Sequence, residues 1–135
     1  MKIVGIGKIV SNQRPEEIMS FWDDFFTQNI SDQIPNQISP SLFCLYTDYE
    51  GDYRDPYKMI IGHEVASFDN LSAGMEKREF DFEEYTHYTI TGEMPKVVMN
   101  QWQEIWNNQL PRAYTLDFQR HNPDGSVDIF VEYTK

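Results

Sequence analysis

Two segments eighty residues apart carry the same helical pattern, and this constrains the fold of the 135-residue chain more than any other feature. Pro15 aligns with Pro95, Ile18 with Val98, Met19 with Met99, Trp22 with Trp102, Phe25 with Ile105 and Phe26 with Trp106. Each proline stands where a first helical turn needs no N–H donor, and the apolar residues after it return to one helix face. Glu16 and Glu17 add first-turn carboxylates that suit the helix dipole. Helices are expected over about 15–29 and 95–108. A period of this length is too long for a solenoid and signals a duplicated half-domain.

Strand patterns complete each half. Residues 2–10 alternate and are rich in Ile and Val, and 41–49 and 57–66 read as a hairpin around the turn EGDYRDP. Residues 31–40 and 67–79 read as loops. In the second half, 81–91, 113–121 and 126–133 read as strands, the last two joined by NPDG. The order is strand, helix, strand, strand, written twice. One domain, 1–135, is expected: module one 1–66, linker 67–79, module two 80–135. A pseudo-twofold axis would leave a groove where the halves meet, and such grooves favour ligands.

Composition narrows the partners. Eleven Lys and Arg against 22 Asp and Glu give a net charge of −11, with no basic stripe. Nucleic-acid surfaces cluster Lys and Arg on phosphates, so no direct nucleic-acid binding is expected, nor attraction to an anionic membrane. The single cysteine, Cys44, excludes an intramolecular disulfide. MKIVGIGKIV lacks a secretory h-region and cleavage site, and no apolar run approaches a membrane span. A cytoplasmic protein is expected.

The chemistry-bearing residues are few. Trp102 and Trp106 share a helix face, as core residues or as a stacking surface; Trp106, nearer the helix end, is the better stacking candidate. Tyr46, Tyr49, Tyr53 and Tyr57 cluster at the hairpin, where tyrosines ordinarily cover a sheet edge. Asp48, Glu50, Asp52 and Asp55 lack the glycine and closing glutamate of a calcium loop and read as a solvated turn. His63, His87 and His121 are scattered and make no zinc pattern. Neither a metal nor a cofactor is expected.

The order and spacing of several segments resemble the GyrI-like small-molecule-binding domain, the effector-binding domain of AraC- and MerR-type bacterial regulators. The resemblance covers about 2–133. It rests on YTDYEGDY (46–53), Tyr57 and IIGHEV (60–65), then on Tyr88, Gly92, Pro95, Trp102, Ile105-Trp106, Leu110-Pro111-Arg112 and VDIFVEY (127–133). It implies an α+β fold in which two strand–helix–strand–strand modules share a curved antiparallel sheet. Two helices then lie on one face, with a ligand cleft between the modules.

The resemblance also implies a bulky aromatic ligand, often cationic, held by aromatic walls and a buried acid. On that ground Tyr46, Tyr49, Trp102, Trp106, Phe118 and Gln119 are the candidate ligand-binding residues. The family's pocket glutamate falls in a segment resembling Asp-Phe-Glu-x-Tyr; here the segment is Asp117-Phe118-Gln119-Arg120-His121. Glutamine can accept a hydrogen bond but cannot neutralise a cation or act as a base. A weaker preference for cations is therefore expected, and binding rather than turnover. The alternatives are a hydrolase of cyclopropane-type electrophiles, in which Asp48, Glu64 or Asp117 activates water, and an acidic module that binds gyrase or a transcription regulator. The expected form is a stand-alone domain that senses or sequesters its ligand.

Overall fold

The structure is a computed structural model that describes every residue except Tyr53, 82–84, 94–95, Gln109 and Lys135. Its elements run β1 (Lys2–Val10), α1 (Pro15–Thr27), a short 3-10 turn (Ile30–Gln33), β2 (Leu42–Thr47), β3 (Tyr57–Glu64), β4 (Glu76–Glu79), β5 (Tyr85–Ile90), α2 (Lys96–Asn107), β6 (Leu116–His121) and β7 (Val127–Glu132). One sheet holds all seven strands in the order β4-β1-β3-β2-β6-β7-β5. Every pairing is antiparallel.

The duplication is visible in that order. β1, β3 and β2 run inward from one side, β5, β7 and β6 from the other, and β2 meets β6 at the centre. The fold is the α+β arrangement of duplicated strand–helix–strand–strand units that the helix register implies. Expected and observed elements differ in three places. β6 starts at Leu116 rather than at 113, because Arg112 and Ala113 pair with the end of β7 and Tyr114 turns left-handed (φ 53°). α1 stops at Thr27 because Asn29 turns left-handed (φ 54°) and a 3-10 turn follows. β4 lies inside the expected 67–79 loop; its residues EKRE carry no apolar alternation, yet they pair with β1 and give the sheet a charged edge. The strand expected from 81 and the helix start at Pro95 fall partly outside the described residues.

Strand alternation sorts the side chains into two faces. One row, Ile6–Ile61–Cys44–Gln119–Ile129–Tyr88, crosses the sheet on the helix side. Phe21 and Phe25 of α1 pack there with Val4, Cys44, Met59 and Ile61, while Val98, Trp102 and Ile105 of α2 pack with Ile90, Val127, Ile129 and Val131. The opposite face holds Ile3, Phe43, Leu45, Ile60, Phe118 and Phe130, covered by Met1, Phe80 and Tyr85. Each helix thus buries one apolar stripe on its own half of a shared sheet. The seam between the halves falls over β2 and β6.

Candidate functional site

Three residues of β6, two apart, reach the helix side at the seam: Asp117, Gln119 and His121. Gln119 is the one amide in a row otherwise made of Ile, Cys and Tyr. Trp102 Nε1 of α2 donates to its Oε1 at 3.0 Å, and its Nε2 lies 2.6 Å from His121 Nε2. His121 in turn lies against Trp22 of α1, ring centroids 5.1 Å apart. Trp22 and Trp102, aligned by the repeat, therefore flank β6 from opposite sides. They differ in burial: Trp102 is buried, Trp22 half-buried beside the exposed Phe26. Burial pushes the His121 imidazole down to about 4.

Toward the other end of β6 stands Asp117, which no solvent reaches. Tyr49 Oη donates to its Oδ2 at 2.7 Å, Arg112 Nη2 to the same oxygen at 2.6 Å, and the Glu132 N–H to Oδ1 at 3.0 Å. Aromatic rings surround the pair. Tyr46 meets Trp102 and Tyr57 edge-on at 5.3 and 5.7 Å. Tyr49 meets Tyr57 and Tyr114 at 5.6 and 5.5 Å. The Arg112 guanidinium lies 4.4 Å from the Tyr114 ring centre and 5.8 Å from that of Trp102. Burial opposes charge on Arg112, but the adjacent Asp117 and Tyr49 more than offset it and hold its pKa above the ordinary value. Burial, then the Asp117 charge, pushes the Tyr49 phenol well up, so it remains a hydrogen-bond donor. Burial likewise takes the Cys44 thiol up to about 12, an inert group under the seam.

The structure brings together four of the six expected site residues: Tyr46, Tyr49, Trp102 and Gln119. It separates the other two. Phe118 lies on the opposite face of the sheet, packed on Phe43, Phe80, Tyr85 and Phe130. Neighbours in a strand point to opposite sides, so residues 118 and 119 cannot line one cleft. Trp106 is half-buried one turn beyond Trp102, against the second half's core with Tyr88 and Tyr133. The indole in the surround of Asp117 is that of Trp102, next to Tyr46 and Arg112.

Sequence reasoning missed Tyr114 and the pairing of Arg112 with Asp117. It offered Asp48 and Glu64 as stand-in acids, and neither reaches the seam. Asp48 is exposed and paired with Arg78 at 2.9 Å, and Glu64 lies across from Ile3 on the face away from the helices. The other histidines have packing roles. His63 bridges the Ser41 carbonyl and the Ser31 hydroxyl, and His87 stacks on Phe130 beside Asp128.

At the seam these side chains pack against one another. Two surface depressions lie elsewhere: one of about 520 Å³ along the polar side of α2 at Asn100, Glu104 and Asn107, and one of about 320 Å³ between the end of β1 and Arg54. Among the described residues no helix is long and apolar enough to cross a membrane.

Comparison with known proteins places this geometry. The fold is similar to the crystal structure of an integron cassette protein from the mobile metagenome of Vibrio cholerae, with a TM-score of 0.79 and 26% identity, over 99% of this chain and 90% of that one. It is similar to SAV2435, described as bound to tetraphenylphosphonium, at TM-score 0.72 and 13% identity over 99% and 88% of the two chains. It is also similar to a putative transcription regulation protein of Staphylococcus aureus MU50, at 0.69 and 13% over 100% and 93%. No curated protein matches the sequence. Residues 1–132 match the model of the integron-associated effector binding proteins, Cass2, and the chain belongs to that family of GyrI-like effector-binding domains.

Proposed function

We propose that the chain senses or sequesters an amphipathic aromatic small molecule at the seam between its two halves. One observation carries this reading. Tyr46, Tyr49, Tyr57, Trp102 and Tyr114 converge on the buried Asp117, where the central strands meet. Aromatic faces around a buried carboxylate, here paired with the Arg112 guanidinium, suit a lipophilic ligand with delocalised positive charge. Asp117 supplies the negative charge that Gln119 does not. The family's effector-binding description supports small-molecule binding, and a fold neighbour described with tetraphenylphosphonium supports this ligand class.

The hydrolytic alternative needs a carboxylate free to activate water. Asp117 has both oxygens engaged, and Asp48 and Glu64 stand away from the seam. The geometry favours binding over turnover. The test is a titration of tryptophan fluorescence with tetraphenylphosphonium and with the neutral triphenylphosphine oxide. Saturable quenching that Trp102→Phe largely abolishes and Trp106→Phe largely retains is expected. Absence of saturable binding to either probe overturns the reading.

A further inference from the structure

Arg112 is held as a bound cation would be held. Its side chain is 4% exposed, and Asp117 is fully buried beside it. Nη2 bonds Asp117, but Nε and Nη1 are buried with no hydrogen-bond partner among the described residues. The rest of the guanidinium meets rings, with Tyr114 at 4.4 Å and Trp102 at 5.8 Å. An arginine placed for structure ordinarily satisfies its fork with several acceptors. This one carries the desolvation penalty of stranded donors.

We infer that Arg112 is a built-in occupant of the ligand seat, and that a donor-free organic monocation binds by displacing its guanidinium from Asp117. This rests on the reading above that the aromatic surround of Asp117 receives the ligand. A quaternary ammonium or arylphosphonium keeps both attractions that hold Arg112, the ring faces and the carboxylate. It has no N–H group to strand, so the exchange removes a penalty that the closed state carries.

The segment that bears Arg112 lies outside the regular strands of the sheet. Residues 110–115 have no regular structure and are tied to the end of β7 through Ala113 N–H to Glu132 O at 3.0 Å, Thr134 N–H to Pro111 O at 2.7 Å and an isolated bridge from Arg112 to Tyr133. Tyr114, whose ring covers the guanidinium, has φ 53°, a conformation unfavourable for a bulky side chain. The occupant and the ring that covers it therefore sit together on one short segment, with the left-handed Tyr114 as its strained point. Arg112 also sets a threshold, because a weak cation does not displace it and a neutral aromatic ligand gains nothing from its departure.

The test is calorimetric titration of wild type and Arg112→Met with tetraphenylphosphonium and with triphenylphosphine oxide, at about 0.5 M salt to screen the acidic surface. Phosphonium affinity is expected to rise about tenfold or more in the variant, with the phosphine oxide unchanged to within about twofold. Adding Asp117→Asn should cancel the gain. Unchanged or weaker phosphonium binding in Arg112→Met overturns the inference. If the phosphine oxide still binds, only the displacement falls; if neither probe binds, the proposed function falls with it.

A second measurement needs no variant. The Arg112 Nε–H resonance of the wild type, shifted by the Tyr114 ring, should move to the free-arginine position as phosphonium saturates the site. A resonance unmoved at saturation overturns the displacement.

Discussion

Trp102 donates its indole N–H to Gln119 Oε1 at 3.0 Å, and that bond fixes the protonation of a histidine on the other side of the amide. An indole is a donor only, so Gln119 must present oxygen to Trp102 and its NH2 to His121. His121 Nε2, 2.6 Å away, can then only accept, which leaves the ring neutral with its proton on Nδ1. A protonated His121 would set N–H against N–H and break the link between Trp22 and Trp102.

Stability should therefore fall in mild acid. His121 gives up its proton near pH 4 in the folded chain, against 6.5 for the ordinary group, because burial disfavours its charged form. The unfolded chain binds more protons between those values. The contribution is whole above about pH 6.5, declines as pH falls to about 4, and reaches at most about 3 kcal/mol. His63, also lowered by burial, acts in the same direction. Urea midpoints at neutral pH and near pH 4.5 should differ less in His121→Gln than in wild type. Equal differences in the two proteins would remove the tautomer assignment.

Gln119→Glu should reverse that histidine's preference. A glutamate oxygen can still accept from Trp102, but its partner oxygen then faces His121 Nε2 and needs a donor there. The His121 pKa should climb from about 4 to its ordinary value or beyond, readable from its imidazole resonances. The added carboxylate should also raise affinity for tetraphenylphosphonium over triphenylphosphine oxide. A His121 titration unchanged in this variant would mean that residue 119 does not control the seam.

The repeat register and the strand alternation made most of the fold legible, because both report burial on one face. Pro15 and Pro95, Trp22 and Trp102, Phe25 and Ile105 encode two equivalent stripes, and the structure seats both helices on one side of the sheet. β4 was illegible since an edge strand of charged residues buries nothing that patterning can detect. Parity in β6 already carried the correction at Phe118, since Asp117, Gln119 and His121 occupy alternate positions and Phe118 lies between them. The Arg112–Asp117 pair was not legible. It depends on Tyr114 turning the chain through a left-handed conformation, and no local propensity announces that turn at a tyrosine.

Gly5 and Gly62 face one another across β1 and β3, and alanine should be intolerable at either. A Cβ at Gly62 would lie 1.9 Å from the Val4 carbonyl oxygen, and one at Gly5 would lie 2.0 Å from that of Ile61. Backbone cannot yield as a side chain can, so Gly62→Ala should cost roughly 3 kcal/mol or more or prevent folding. Gly125→Ala is the control. Its φ is +91° but nothing stands within 4 Å, so it should cost only about 1 kcal/mol. Similar urea midpoints for Gly62→Ala and Gly125→Ala would contradict the close approach of β1 and β3.

Tyr49 should be worth more than its packing, because its hydroxyl serves a carboxylate that no solvent reaches. Tyr49→Phe keeps the ring against Tyr57 and Tyr114 and removes only that donor. A hydrogen bond to a charged group contributes about 1.5–3 kcal/mol, and a loss in that range is expected from the urea midpoint. Arg112→Met should cost more, since it leaves Asp117 with no counter-charge; breaking a buried pair on one side costs about 3–5 kcal/mol. Replacing both partners, Arg112→Met with Asp117→Asn, should recover much of that loss, because the neutral pair strands no charge. A bound cation should restore Arg112→Met for the same reason. Tetraphenylphosphonium at saturation should therefore raise its melting temperature more than that of wild type. A Tyr49→Phe protein as stable as wild type would show that Asp117 is satisfied without the phenol. An Arg112→Met protein as stable as wild type would show that its charge is not isolated in the seam.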